Sequence, residues 1–402
     1  MIFPKPIKTG AQAGFAPGSV LGRFYYPELD ALRFLAFLLV FLHHAAPREI
    51  RDYEGYFPAG IADALASAAN MLGCGLSLFF FLSAFLITEL LAREKSETET
   101  VKIGDFYIRR CLRIWPLYFL GIVIGVAAAI GEKFAGASGD YGNLRMLIMY
   151  LALSGNWYFA SGITAWPDNP MTPLWSISVE EQFYLFWPAV MRFASRRALF
   201  GLCGIMATVA IGAELFLGCI HANVDAVIWT NSLVQFEMFA AGAALALFLR
   251  GSTPRLRTKT RLALAAVAAS TWFASAYWFR AKYVGPAPSG AFVVIGYLFI
   301  ASGCAAVMLA VLGVTRKVPP FLIYLGRISF GLYVFHLLAI QIVAQVEKPI
   351  LALSGWCGVG HLCGVAASLL LTIVMAALSY RFLEMPFLRL KERFAVVASR
   401  PI

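Results

Sequence analysis

Charge is what this 402-residue chain has least of: Asp, Glu, Lys and Arg make up 14% of it, against 60% hydrophobic residues. With a mean hydropathy of +0.74, that shortage excludes a string of soluble domains, in which about a quarter of the residues are charged. Cysteine occurs at seven positions but never as a CxxC pair or a Cys/His cluster of metal-ligand spacing, so neither a redox pair nor a metal centre is predicted. The first apolar run begins near Leu29, carries charges and lacks a small-residue cleavage site, so no cleavable signal peptide is expected. No repeat of fixed period and no second soluble domain are visible. What is left is an all-α, polytopic membrane protein.

Apolar stretches of about twenty residues fall near 28–46, 72–92, 112–130, 175–193, 198–219, 231–249, 262–280, 291–314, 321–345 and 361–382. They predict ten transmembrane helices. An eleventh candidate, LRMLIMYLALSGNWYFA at 144–160, is short and interrupted by Ser154, Gly155 and Asn156. The positive-inside rule decides its fate. With ten spans and both termini cytoplasmic, 24 of the 33 Lys and Arg residues lie inside, seven lie outside, and Arg33 and Arg327 sit at membrane depth. If 144–160 crossed, 15 of those 24 would move outside. The segment therefore reads as lying at the outer surface or re-entrant, and the formal charge of +11 needs no nucleic acid to explain it. The expected organisation is a flexible cytoplasmic N-terminal tail (1–26), a transmembrane domain (27–386) with an outer region at 131–174, and a cytoplasmic C-terminal tail (387–402).

Within this apolar chain, ionisable groups stand out. The first helix, PELDALRFLAFLLVFLHH at 27–44, holds Asp30, Arg33, His43 and His44. A charge at membrane depth costs at least about 2.5 kcal/mol, so such residues point to function. Arg33 and His44 are eleven residues apart, three helical turns, within about 20° of one face and roughly 16 Å apart along the axis. His43 points elsewhere. His44 is thus a candidate general base or acid. The plainer alternative is that the two histidines end the helix at the interface and that Asp30 and Arg33 form an intrahelical ion pair.

Three other stretches carry chemistry. KIGDFYIRRCLRIWPLY at 102–118 gathers Arg109, Arg110 and Arg113 at one cytoplasmic helix end, where guanidiniums either grip phosphates or simply anchor the helix. TPLWSISVEEQFYLFWP at 172–188 sets Glu180 and Glu181 near the outer start of a span. The helix dipole accounts comfortably for one such acid and less well for two. A carboxylate reaching His44 from a neighbouring helix could fix its tautomer and stabilise an imidazolium. Ser83 in FFFLSAFLITE fits a small packing residue as well as a functional one, whereas Arg327 and His336 in GRISFGLYVFH are ionisable groups in a span.

Taken in order, these pieces resemble the acyltransferase-3 family of bacterial integral-membrane O-acyltransferases over residues 28–386. LDALRFLAFLLVFLHH is similar to the family's opening helix, with Arg33 and His44 in place. FFFLSAFLI resembles FFxxSGFLI, with Ser83 retained and Ala84 where glycine is usual. RRCLRIWPLY resembles RRxxRIxPxY. PLWSISVEEQFYLFWP is similar to WSLSxEEQFY, which maps Trp175, Ser176, Glu180, Gln182, Phe183 and Tyr184. ISFGLYVFH resembles ISYxLYLxH, and YRFLEMP resembles the Y-x3-E-[RK]-P ending, with Met385 replacing the basic residue.

The resemblance implies transfer of an acyl group, commonly acetyl from acetyl-CoA, to a hydroxyl of a carbohydrate acceptor, by a multi-pass protein of the bacterial cytoplasmic membrane. Joined to the predicted topology, it gives His44 and Glu180 as the catalytic pair, with Glu180 orienting His44. Arg33, Arg109, Arg110 and Arg113 are then donor-binding residues, and Asp30, Ser83, Trp175, Ser176, Tyr184 and His336 support them. Trp157, Tyr158 and Trp166 of the outer region are candidate sugar platforms as well as ordinary interface aromatics. The same intramembrane Arg, His and Glu also suit a proton-coupled transporter, although the discontinuous helices and repeated halves that would favour one are not visible.

Overall fold

The computed structural model describes residues 25–134, 143–162, 166–282, 284–314, 318–354, 357–395 and 397. Apart from Tyr25 and Tyr26, the expected N-terminal tail lies outside them. The described residues form sixteen α-helices. These are α1 (Pro27–Ala45), α2 (Arg51–Glu54), α3 (Ala59–Met71), α4 (Cys74–Thr98), α5 (Ile103–Phe134), α6 (Leu144–Leu151), α7 (Gly155–Ala160) and α8 (Trp175–Phe193). They continue as α9 (Arg196–Cys219), α10 (Ser232–Leu249), α11 (Thr258–Tyr277), α12 (Gly290–Val311), α13 (Pro320–Arg327), α14 (Ser329–Ser354), α15 (Cys357–Ser379) and α16 (Met385–Glu392). Among the described residues the only β pairing is one isolated bridge, between Asn223 and Pro286.

Seven helical segments among the described residues are long and apolar enough to cross a membrane: Ala59–Thr98, Ile103–Phe134, Arg196–Cys219, Ser232–Leu249, Gly290–Val311, Ser329–Val346 and His361–Glu392. The other three expected spans are the helices α1, α8 and α11, of 19, 19 and 20 residues. Both α1 and α8 carry three Asp, Glu, Lys or Arg residues, which is why composition alone sets them apart. The segment 144–160 folds as two short helices of eight and six residues, well below the length of a span. The stretch expected at 321–345 breaks at Ile328, so Arg327 ends α13 instead of lying inside a span.

Local signals set several boundaries. Pro27 opens α1, where its missing N–H is harmless, and Glu28 and Asp30 occupy the first turn. Glu28 then accepts from the Gly313 N–H at 3.0 Å, which ties this end to the segment after α12. The side chains of Ser195, Asn231 and Ser289 cap α9, α10 and α12. Two prolines, Pro116 and Pro188, sit inside α5 and α8, as membrane helices with supporting neighbours tolerate.

The first helix lies inside the bundle, against α3, α4, α12, α13 and α14. Its approach to α4 is unusually close. A Cβ added at Gly75 would stand 2.5 Å from the Ala36 carbonyl oxygen and 2.8 Å from Leu39 Cβ, so glycine lets the two backbones touch. Gly326 does the same for α13, where a Cβ would run into the Asp30 carbonyl. Gly75→Val should therefore push α1 and α4 apart and cost about 1–3 kcal/mol by overpacking. The thermal unfolding midpoint of the purified variant checks this, and an unchanged midpoint contradicts the close approach.

Candidate active site

Two cavities flank the first helix, one near its beginning and one at its end. The inner cavity, about 190 Å³, is lined by Asp30 and Arg33 of α1, Ser83 of α4, Arg110 and Arg113 of α5, and Ser176, Glu180 and Tyr184 of α8. The outer cavity, about 200 Å³, is lined by His43 and His44 and by Trp166, Trp175, Trp229, Asp225 and Lys282. One helix face therefore supplies Arg33 to the first and His44 to the second.

The inner cavity is a web of opposed charges and hydroxyls. Asp30, 1% exposed, accepts from Arg33 Nη1 at 2.8 Å and from the Tyr25 hydroxyl at 2.9 Å. Tyr184 donates to Glu180 Oε2 at 2.8 Å, and its hydroxyl also meets the Ser83 Oγ. The Arg110 guanidinium lies 5.4 Å from the ring centres of both Phe106 and Tyr184, a cation-π clasp. Its Nε is buried with no hydrogen-bond partner among the described residues. Three guanidiniums against two carboxylates leave the cavity fit for an anionic, phosphate-bearing ligand.

Arg109 is spent elsewhere. Its Nη2 donates to Glu94 Oε2 at 2.8 Å and its Nη1 to the Phe394 carbonyl at 2.7 Å, and it lines neither cavity. Of the three arginines expected to grip phosphate, Arg110 and Arg113 line the inner cavity together with Arg33, and Arg109 does not. Arg109 instead bolts the C-terminal segment to α5.

The two histidines of α1 line the same cavity, although His43 was expected to point elsewhere, and they differ in their partners. His43 is held on both nitrogens, Nδ1 3.3 Å from the Ala69 carbonyl and Nε2 2.9 Å from Arg48 Nη1. His44 Nδ1 lies 2.9 Å from the Val40 carbonyl and 3.3 Å from His336 Nε2. His336, fully buried, has its own Nδ1 2.6 Å from the Tyr333 carbonyl. Carbonyl oxygens only accept, so both rings carry their proton on Nδ1, and the lone pair on His336 Nε2 faces the His44 N–H. His44 Nε2 keeps its lone pair, with no protein donor among the described residues. Glu180 was expected to orient His44; it lines the other cavity and bonds Tyr184, and His336 takes the place beside His44.

Aromatic walls complete the outer cavity. Trp166 donates Nε1 to Asp225 Oδ2 at 3.0 Å and stacks on Phe159 at 4.4 Å, while Trp175 meets Trp229 edge-on at 6.2 Å. Of the three proposed sugar platforms, Trp166 lines the cavity and Trp157 and Tyr158 do not. Burial raises the Asp225 carboxyl above its ordinary value, opposed by the Trp166 indole, and burial holds the Lys282 ammonium well below the usual lysine range. Lys282 rests on the face of Trp229. Both shifts lean towards the neutral forms.

A family model described as an acyltransferase domain matches residues 26–381. The chain belongs to the acyltransferase-3 family. Relatives of this acyltransferase-3 chain include a Staphylococcus aureus protein named "Putative O-acetyltransferase", 22% identical over 90% of this chain and 57% of its own length. A Bacillus subtilis protein named "Putative peptidoglycan O-acetyltransferase YrhL" is 26% identical over 90% of this chain and 55% of its own. The peptidoglycan O-acetyltransferase OatA of Listeria monocytogenes is 29% identical over 42% of this chain and 24% of its own. The chain thus spans about half the length of the curated relatives it matches most extensively. No solved structure matches.

Sequence reasoning passed over four residues of the site. Tyr333 stands one turn before His336 in ISFGLYVFH, so its motif could have flagged it. Asp225 and Trp229 arrive from the connection between α9 and α10 and Lys282 from that between α11 and α12, and none carries a motif.

Proposed function

We propose that this acyltransferase-3 chain is a ten-span O-acyltransferase of the bacterial cytoplasmic membrane, with both termini cytoplasmic. It moves an acyl group, acetyl foremost, from cytoplasmic acyl-CoA to a hydroxyl of a cell-envelope carbohydrate at the outer face. One observation carries the reading: Arg33 and His44 share a helix face but line different cavities, the first with Arg110 and Arg113, the second with a ring of tryptophans. The seven apolar spans together with α1, α8 and α11 support the span number, and the Lys/Arg bias supports the sidedness. Two relatives are named for peptidoglycan, in keeping with an envelope glycan as acceptor.

In this mechanism Arg110 and Arg113 hold the CoA phosphates. Arg33, fixed by Asp30, steadies the donor further along, and Ser83, Glu180 and Tyr184 offer hydrogen bonds to the polar groups of its arm. Trp166, Trp175 and Trp229 receive the sugar. His44 Nε2 takes the proton of the acceptor hydroxyl, the oxygen bonds to the thioester carbon, and the C–S bond breaks. The proton then passes to the leaving CoA sulfur. The lone pair of His336 stabilises the His44 imidazolium while it lasts.

Arg110→Gln and Arg113→Gln should each raise the KM for acetyl-CoA about ten- to a hundredfold, the worth of one charged hydrogen bond. Steady-state kinetics on the purified variants check this, and an unchanged KM removes them from the donor site. The reading itself is tested by giving acetyl-labelled acetyl-CoA to membranes of cells making the protein. Label should appear as alkali-labile ester on envelope glycan. Label that merely crosses the membrane unattached would favour the transporter.

A further inference from the structure

The inner and outer cavities have two lining residues in common among those described, Leu76 and Tyr333. Their shared place in both linings puts them at the junction of the two cavities, the neck between the arginines and His44. The Tyr333 side of the neck is fixed: its hydroxyl lies 2.9 Å from the Pro173 carbonyl and 2.7 Å from Ser176 Oγ, and its ring packs edge-on against Phe79 at 6.1 Å. The backbone of the Leu76 side is fixed too, because the neighbouring Gly75 is pressed onto α1. With those fixed, the branched Leu76 side chain, 7% exposed, is the part of this junction whose bulk can vary.

We propose that Leu76 is the acyl-selecting residue of the transferase, admitting compact or unbranched acyl groups and rejecting bulky ones. The inference rests on the donor-inside, acceptor-outside reading above. If the arginines hold the donor in the inner cavity and His44 activates the acceptor in the outer one, the acyl group enters the neck first and the narrow end of the CoA arm follows it. An unbranched chain presents the same cross-section as that arm. A quaternary carbon next to the carbonyl, as in pivaloyl, presents a thicker one and meets the Leu76 methyls. The filter is therefore on width, and a fitted apolar slot discriminates about 10- to 200-fold per misfitting carbon.

Membranes containing the wild type, Leu76→Ala or Leu76→Val are supplied with acetyl-, butyryl- or pivaloyl-labelled CoA, and label on envelope glycan is measured. Wild type should transfer acetyl and butyryl within about tenfold of each other and pivaloyl far more slowly. Leu76→Ala should raise the pivaloyl-to-acetyl ratio at least about tenfold. The lower reactivity of a hindered carbonyl cancels when the two proteins are compared. Leu76→Val, a smaller change, should move the ratio in the same direction, and it decides the matter if the alanine variant does not fold. Acetyl transfer by the wild type with a ratio unmoved by either variant overturns the neck proposal and leaves the acyltransferase reading intact. Absence of acetyl transfer by the wild type overturns both.

Discussion

Replacing His44 with alanine lowers acyl transfer by about 10²–10⁴-fold, the usual worth of a general base, and leaves the protein folded in the membrane. The two halves of this expectation have separate causes. Activity falls because His44 Nε2 is the nitrogen whose lone pair is left over in the outer cavity once Nδ1 is committed to Val40 and His336. Stability survives because, among the described residues, the side-chain hydrogen bonds given up are those to the Val40 carbonyl and to His336, beside a cavity into which water can enter. His43→Ala should do the reverse. That ring joins Ala69 and Arg48, so its loss loosens the link from α1 to α3 and to the loop after α1 while sparing the chemistry. Transfer assays paired with size-exclusion profiles of the two variants separate the roles. Full activity in His44→Ala defeats the proposed chemistry.

Arg109→Ala has a large effect of another kind. Glu94 is 1% exposed and pairs with Arg109 Nη2 at 2.8 Å, so the truncation leaves a carboxylate in the interior with half its support removed. Breaking a buried pair in this way costs about 3–5 kcal/mol, and the released Phe394 carbonyl frees the C-terminal segment from α5 as well. The variant should vanish from the membrane fraction instead of binding donor poorly. Changing both partners, Arg109→Met with Glu94→Gln, removes the stranded charge and should restore much of the protein with a near-normal KM for acetyl-CoA. A folded Arg109→Ala protein with a high KM would return Arg109 to the donor site.

These two residues also show what a linear reading reaches. Helical periodicity within α1 separates His44 from His43 and aligns it with Arg33, because the information is local to one helix. The same logic places Tyr184 one turn beyond Glu180, where the two do bond. Local spacing says nothing of partners from other helices. Arg109, Arg110 and Arg113 look alike in RRCLR, yet Glu94, near the C-terminal end of α4, claims one of them. His336 lies 292 residues from His44 and becomes its neighbour only through the packing of α1 on α14. The apolar runs of the spans are legible for the opposite reason: each must satisfy its own backbone in lipid, so each announces itself. Helix α3 is missed because Ala59–Met71 is only 13 residues long, too short to mark a span of its own.

The central claim is that the acyl group passes along α1 from one side of the membrane to the other. Sealed membrane vesicles of defined orientation test it directly, with labelled acetyl-CoA confined to one face and glycan ester read on each. Label should reach glycan on the His44 side only when acetyl-CoA is supplied on the Arg110 and Arg113 side, and the His44→Ala vesicles should show none. Equal labelling with donor and acceptor on the same face would contradict the account.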